Sequence, residues 1–440
     1  MLKLIYRIYI PLIFVFLLLY TAKTNWSDGQ WESVIEADAK GYYAYLPALL
    51  IYGDLNFGFY DKVEVENTYD QNLIYDYRAY YEGRCINKYY AGESFLVLPF
   101  FATAHLISHF YGYPTDGYSR LYVISITIAA LFYLLIGLMA LRRTFFLFGI
   151  SEFNSLIVIS TLIFGTNLFY YSIGEVGMTH VYSFSMMSLF IYQVSKYFNE
   201  FQAKHIVYGA IFLGLIILIR PINAIIIFSI PFLSQNVNNF IRGIKNYFLR
   251  WKILMLSIVI ILSICSIQLI IYKCQTGTFF VYSYGKEGFN FGSPQIANFL
   301  FSYKKGFFLY TPICLISLFG FASIWKDKFK VITLFCFLFF VVYTLSSWWM
   351  WYYGGSFSSR VMVDFLPFYA ILLGLLLQGT SKTFLRGTCF TVFFLLVLLN
   401  QIQTLQYRYY VIHWSNMDKE SYWDTFLDIE PILNRKIEIE

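Results

Sequence analysis

The sequence predicts an all-α, polytopic membrane protein, and three observations carry that prediction. Of 440 residues, 58% are hydrophobic and 13% charged, against about 25% charge in a soluble domain; too little polar surface remains to solvate a fold of this size. The apolar residues run in long blocks, among them "LYVISITIAALFYLLIGLMAL" from Leu121 and "TVFFLLVLLN" from Thr391, and such blocks read as membrane spans. Basic residues cluster in alternate connections between the blocks, as in multi-pass chains that keep Lys and Arg on the cytoplasmic side.

About eleven spans are expected, near residues 5–20, 121–141, 153–171, 181–197, 205–220, 221–235, 253–272, 307–322, 331–346, 361–378 and 387–403. The first follows Lys3 and Arg7 and reads as an uncleaved helix, because no convincing small-residue cleavage site precedes a polar start. The fifth and sixth meet at Arg220-Pro221 and form either two short passes or one helix broken by proline. The block "ESFLVLPFFATAHLISHF", Glu93 to Phe110, is long enough for a marginal span and carries Pro99 with His105 and His109 on one helical face. Charge decides its placement. As a juxtamembrane or re-entrant helix it leaves Lys3/Arg7, Arg142/Arg143, Lys196/Lys204, Arg242/Lys245/Arg250/Lys252, Lys326/Lys328/Lys330 and Lys382/Arg386 on one side, the cytoplasmic one. As a span it would turn every later cluster outward.

The outer side then holds an acid-rich loop at 21–120, a second loop at about 273–306, a third at 347–360 and a tail from Thr404. Residues 1–403 form the transmembrane domain with its large first loop, and 404–440 a short outer tail. The six cysteines show no CxxC spacing, so neither a metal nor a disulfide framework is indicated. No GxGxxG or GxxxxGK[ST] motif is present, "FGSPQ" and "YEGRC" are too short to interpret, and the basic clusters need only topology as their explanation; they are not a nucleic-acid site. No internal repeat of the transporter kind is visible.

Chemistry-bearing residues concentrate on the outer side. "SVIEADAKGYYAYLPALLIYGDLNF" places Glu36 and Asp38 just before Tyr42, Tyr43 and Tyr45. On a helix the two acids face different directions, and on an extended segment they share a face. Lys40 stands four residues after Glu36, which leaves Asp38 the freer carboxylate; a solvated loop with interfacial tyrosines is the plain alternative. "YSIGEVGMTHVYSF" carries Glu175 and His180 in a glycine-containing turn, where they would bind a metal, steer an acceptor hydroxyl or simply solvate a hairpin. Arg220 in "LIRPIN" sits in apolar surroundings, which calls for an anion or a carboxylate partner. "SSWWMWYYGGSFSSRVMVDFLPF" sets Arg360 four residues before Asp364; a guanidinium grips two phosphate oxygens at once, and Asp364 would hold it in place. The second loop, "FFVYSYGKEGFNFGSPQ" with "FLFSYKKGFFLYTP", offers aromatic faces such as Tyr282 for stacking on sugars, and Lys286, Lys304 and Lys305 for attracting phosphate.

This layout resembles the GT-C superfamily of membrane glycosyltransferases, which includes the protein O-mannosyltransferases and the lipid A aminoarabinose transferases. The resemblance covers most of the chain as a pattern. "EADAKGYYAYLPALL" looks like the acidic first-loop motif, the block from Gly92 to Phe110 with "GYPTDGYSRLYVIS" like the juxtamembrane helix leading into the second span, and "GMTHVYSFSMMSLF", "LIRPINAIII" and "GGSFSSRVMVDFLPF" like segments of bacterial members. The resemblance implies a bacterial inner-membrane enzyme with its site facing outward. It implies a polyprenyl-phosphate-linked sugar as donor, inversion at the anomeric carbon, and a glycan, lipid or protein acceptor. Asp38, or Glu36 as second choice, would deprotonate or orient the acceptor hydroxyl, and Arg360 would hold the donor phosphate. Two departures stand out: two acids compete in the first motif, and "KYYAGESF" replaces a histidine- or lysine-proline-proline signature. No cofactor is firmly implied; divalent metal use varies across the superfamily. A lipid-linked sugar flippase or other transporter, which would place polar residues deep in its spans, and a noncatalytic envelope-assembly scaffold are the rival readings.

Overall fold

The computed structural model describes residues 2–26, 30–65 and 75–439; the side chains of Lys3 and Arg7 fall outside that description. The chain is an all-α multi-pass membrane protein. Backbone polar groups in lipid must be satisfied within the segment, and an apolar helix does this by itself. Among the described residues, seven helices are long and apolar enough to cross a bilayer: Ile8–Asn25, Gly92–Tyr111, Arg120–Leu147, Trp251–Thr276, Lys328–Ser346, Arg360–Gly379 and Thr383–Arg408. Shorter apolar helices, Glu152–Phe164, Ala203–Ile219 and Pro312–Ile324, pack among them.

Prolines and small polar residues break several segments that the sequence presents as continuous. The helix Glu152–Phe164 stops at Gly165 and restarts as Leu168–Ile173. After Arg220 the chain runs as a 3₁₀ helix, Pro221–Ser229, and then a short α-helix, Ile230–Leu233. The following helix, Val237–Leu249, departs from this segment at 119°. "YEGRC" contains the turn of a hairpin: strands Arg78–Tyr81 and Arg84–Asn87 pair antiparallel, with Tyr81 opposite Arg84. Glu82 and Gly83 both adopt positive φ, 49° and 76°, as a two-residue hairpin loop requires.

Several of the basic clusters gather at one end of the bundle. Arg142 pairs with Glu152 at 2.7 Å, Arg386 donates to Asn154, and Gln235 donates to the carbonyl of Leu147. Arg250 reaches the carbonyl of Phe201, and Arg242 lies over the Phe201 ring. His180–Glu200 runs toward this end and Ala203–Ile219 runs back from it, so His180 and Arg220 meet at the opposite end.

Gly92–Tyr111 packs along the first half of Arg120–Leu147. His105 Nδ1 lies 2.7 Å from the Tyr122 hydroxyl, and Tyr133 donates to the carbonyl of Leu96. Its first residue, Gly92, presses on Ile219; a Cβ there would stand 2.4 Å from the Ile219 backbone nitrogen. The helix therefore begins at the end that holds Arg220 and leads away from the basic end. The expected boundary at residue 403 falls inside a continuous helix, Thr383–Arg408, so the tail is an extension of the bundle.

Candidate functional site

A cavity of about 1290 Å³ opens at the end opposite the basic clusters. The large first loop, the turn after Ile173, the Arg220-Pro221 break, both later loops and the chain after residue 406 all line it. The two later loops are stitched into one rim: Asn290 and Gln295 donate backbone hydrogen bonds to Ser347 and Ser346, and Trp349 donates to Gly288.

On its wall Arg360 Nη2 lies 2.5 Å from Asp38 Oδ2. The Tyr89 hydroxyl donates to the other oxygen, Asp38 Oδ1, at 2.6 Å. Tyr75 stands 2.5 Å behind and donates to the Tyr89 oxygen. Burial alone would raise the Asp38 carboxyl. The Arg360 guanidinium and the Tyr89 hydrogen bond outweigh it and hold the group below its ordinary range. Local backbone delivers Asp38 to this point. Ala37 adopts φ 47° and ψ −128°, a conformation that costs a non-glycine residue roughly 1–3 kcal/mol. The turn is closed by a hydrogen bond from Ala39 to the carbonyl of Glu36, and the helix Asp38–Tyr43 starts at once. Glu36 thus precedes the helix while Asp38 opens it. Both line the cavity, and Asp38 meets Arg360.

Glu175 also lines the cavity. Tyr170 donates to its Oε1 at 3.1 Å, while Oε2 is buried without a hydrogen-bond partner among the described residues. Burial pushes this carboxyl up to about 7, against the opposing pull of Arg360. The turn that carries Glu175 is seated on the Asp38 segment: a Cβ on Gly177 would come within 2.9 Å of the Ala39 methyl.

Asp364 does not hold Arg360, contrary to expectation, and it does not line the cavity. It is fully buried and accepts from His180 at 2.9 Å, Arg220 at 3.2 Å and Asn223 at 2.7 Å. The reason is local: Arg360–Phe365 is a 3₁₀ helix. At three residues per turn, position i+4 lies about 120° from position i, whereas an α-helix would have put both on one face.

Arg220, Tyr42 and Tyr282 line the cavity. His180 is buried beneath it against Asp364. Tyr43 and Tyr45 do not line the cavity; their hydroxyls donate to the carbonyls of Gly117 and Tyr89 and knit the first loop together. Lys304 and Lys305 do not line the cavity. Lys304 lies 3.7 Å from the centre of the Tyr352 ring. Lys305 is 2% exposed and donates to the carbonyl of Ser356, and burial pulls its amine down to about 7.

Several lining residues were not singled out from the sequence. Lys88 and Glu287 form an ion pair at 2.6 Å on the wall. Tyr353, Arg408 and Trp414 complete it. "KYYAGESF", which stands where a signature was missing, supplies Lys88 and Tyr89 and was the available signal. Among the described residues no three His, Cys, Asp or Glu side chains group to hold a metal ion. No protein-family model matches this chain, and no curated protein sequence matches it.

Proposed function

We propose that the chain is an inverting glycosyltransferase of the GT-C type. It would cross the membrane about eleven times, with Gly92–Tyr111 as a juxtamembrane helix, and lie in a bacterial inner membrane with the cavity facing the periplasm. Its donor is a polyprenyl-phosphate-linked sugar and its acceptor a glycan, lipid or protein of the cell envelope. One observation carries the reading: Arg360 and Asp38 converge in a large, tyrosine-rich cavity at the end of the bundle remote from the basic clusters. A cationic fork suits a lipid-borne phosphate, which needs charge neutralised as the glycosyl bond breaks. Tyrosine and tryptophan faces suit sugar rings, and the surrounding apolar helices suit a lipid tail.

In this reading Arg360 takes the donor phosphate, with Asp38 and Tyr89 fixing its fork before the donor arrives. Arg220, anchored by Asp364, adds a second cation on the same wall. Lys304 and Lys305 act only through the field they contribute. A flippase for lipid-linked sugars is the second reading, favoured by the buried Asp364–His180–Arg220 group. Envelope analysis of a strain lacking the chain tests the enzyme reading. Accumulation of one polyprenyl-phosphate sugar, with an envelope glycan short of that sugar, supports it; unchanged lipid and glycan profiles contradict it.

A further inference from the structure

We infer that Glu175, rather than Asp38 or Glu36, accepts the proton of the incoming hydroxyl in the reaction proposed above; the inference rests on that reading. A general base must present a free lone pair to the proton it takes. Each oxygen of Asp38 already accepts a hydrogen bond, one from Arg360 and one from Tyr89, and that pairing holds its carboxyl low, so Asp38 is the weaker proton acceptor and is built to position the guanidinium. Glu175 lines the cavity; its Oε1 accepts from Tyr170, which fixes the carboxyl plane, and its Oε2 is buried with no hydrogen-bond partner among the described residues.

The surroundings agree with that division of labour. Arg360, Lys305 and Asp38 act on Glu175 from three other segments, and Tyr170, Tyr407 and Tyr410 from the cavity wall; Tyr171 faces it from the same short helix as Tyr170. Two carboxyls whose environments drive their affinities for protons apart are the usual mark of separate acid–base assignments. Here Asp38 is held low and Glu175 is pushed up to about 7.

The step balances without a further reactant. The acceptor O–H gives its proton to the Glu175 carboxylate while its oxygen forms a bond to the anomeric carbon. The bond from that carbon to the phosphate oxygen breaks, and its electron pair leaves on the lipid phosphate beside Arg360. Glu175 then releases the proton to water.

The test has two arms, both on the full chain in lipid. Infrared difference spectra across pH should show a protonated-carboxyl band that disappears near pH 7 in the wild type and is missing in Glu175→Gln. The same titrating band in Glu175→Gln overturns the inference whatever the enzyme does. Turnover is then followed with tritiated mannose, glucose and galactose, each on undecaprenyl phosphate. Glu175→Gln should lose roughly 10²–10⁴-fold in single-turnover rate, with unchanged donor binding and a flattened pH profile. Asp38→Asn should instead weaken donor binding and keep the rise in rate through pH 7. If Asp38→Asn flattens the profile and Glu175→Gln does not, Asp38 is the base and the inference fails. No turnover of any donor by the wild type removes the enzyme reading and the base role with it, while the infrared arm still reports Glu175 itself.

Discussion

Arg360 and Asp38 stand 322 residues apart in sequence, and their side chains lie 2.5 Å apart on the cavity wall. The pair joins the large first loop to the segment that opens the Arg360–Gly379 helix. Arginine supplies a planar, two-pronged donor, and lysine only a point charge. Arg360→Lys should therefore keep the local charge and still lose the fit to phosphate. Affinity for a nonreactive polyprenyl-phosphate sugar analogue should fall at least about tenfold, or about 1.4 kcal/mol. Unchanged affinity would leave Arg360 a structural partner of Asp38.

Asp364 is the structural acid of the site. It is fully buried and engages His180, Arg220 and Asn223. Removing one member of a buried charged group leaves the others uncompensated, at a cost of about 3–5 kcal/mol. Asp364→Asn should lower the thermal midpoint of the purified protein markedly, and Glu36→Gln should barely move it. Equal midpoints for Asp364→Asn and wild type would refute the buried anchor.

Two buried groups give stability opposite slopes with pH. Glu175 has its folded value raised from 4.5 to about 7. Across that window the folded chain holds a proton that the unfolded chain releases, so stability falls as pH rises. Lys305 has its folded value lowered from 10.5 to about 7. Above about 7 the unfolded chain binds the extra proton, and stability rises with pH until 10.5. The difference in thermal midpoint between wild type and Glu175→Gln should fall as pH rises from about 4.5 to 7, and that between wild type and Lys305→Met should rise from about 7 to 10.5. Differences that stay flat across those windows would contradict the two assignments.

The sidedness of the bundle is open to labelling. Single cysteines placed beside His105 or His109, in a background freed of the six native cysteines, should react with an impermeant thiol reagent added outside intact cells. A cysteine beside Arg142 should not. Labelling beside Arg142 from outside would reverse the proposed orientation.

Much of this arrangement was legible in the sequence because it is written in short-range patterns. Apolar run length marks the membrane helices, and charge bias separates the two ends. The Glu36/Asp38 pair and Arg360 stood out as polar chemistry at the borders of apolar runs, and both segments line one cavity. What escaped is set by geometry that no period encodes. Arg360 and Asp364 are spaced for one face of an α-helix, but Pro367 follows closely and the segment winds as 3₁₀, so Asp364 turns inward to Arg220. The tail was expected to start at 404, yet the Thr383–Arg408 helix continues past 403, and Arg408 and Trp414 line the cavity. The contact of Lys88 with Glu287 spans two loops and follows only from how those loops meet in three dimensions.

Transfer by purified protein tests the glycosyltransferase reading most directly. The chain in lipid vesicles, with undecaprenyl phosphate carrying each of several radiolabelled sugars and an envelope extract as acceptor, should move label from lipid to a water-soluble or envelope product. Arg360→Lys should abolish most of that movement. Passage of the labelled lipid between leaflets with no loss of its sugar, in wild type and variant alike, would contradict it and make the protein a transporter.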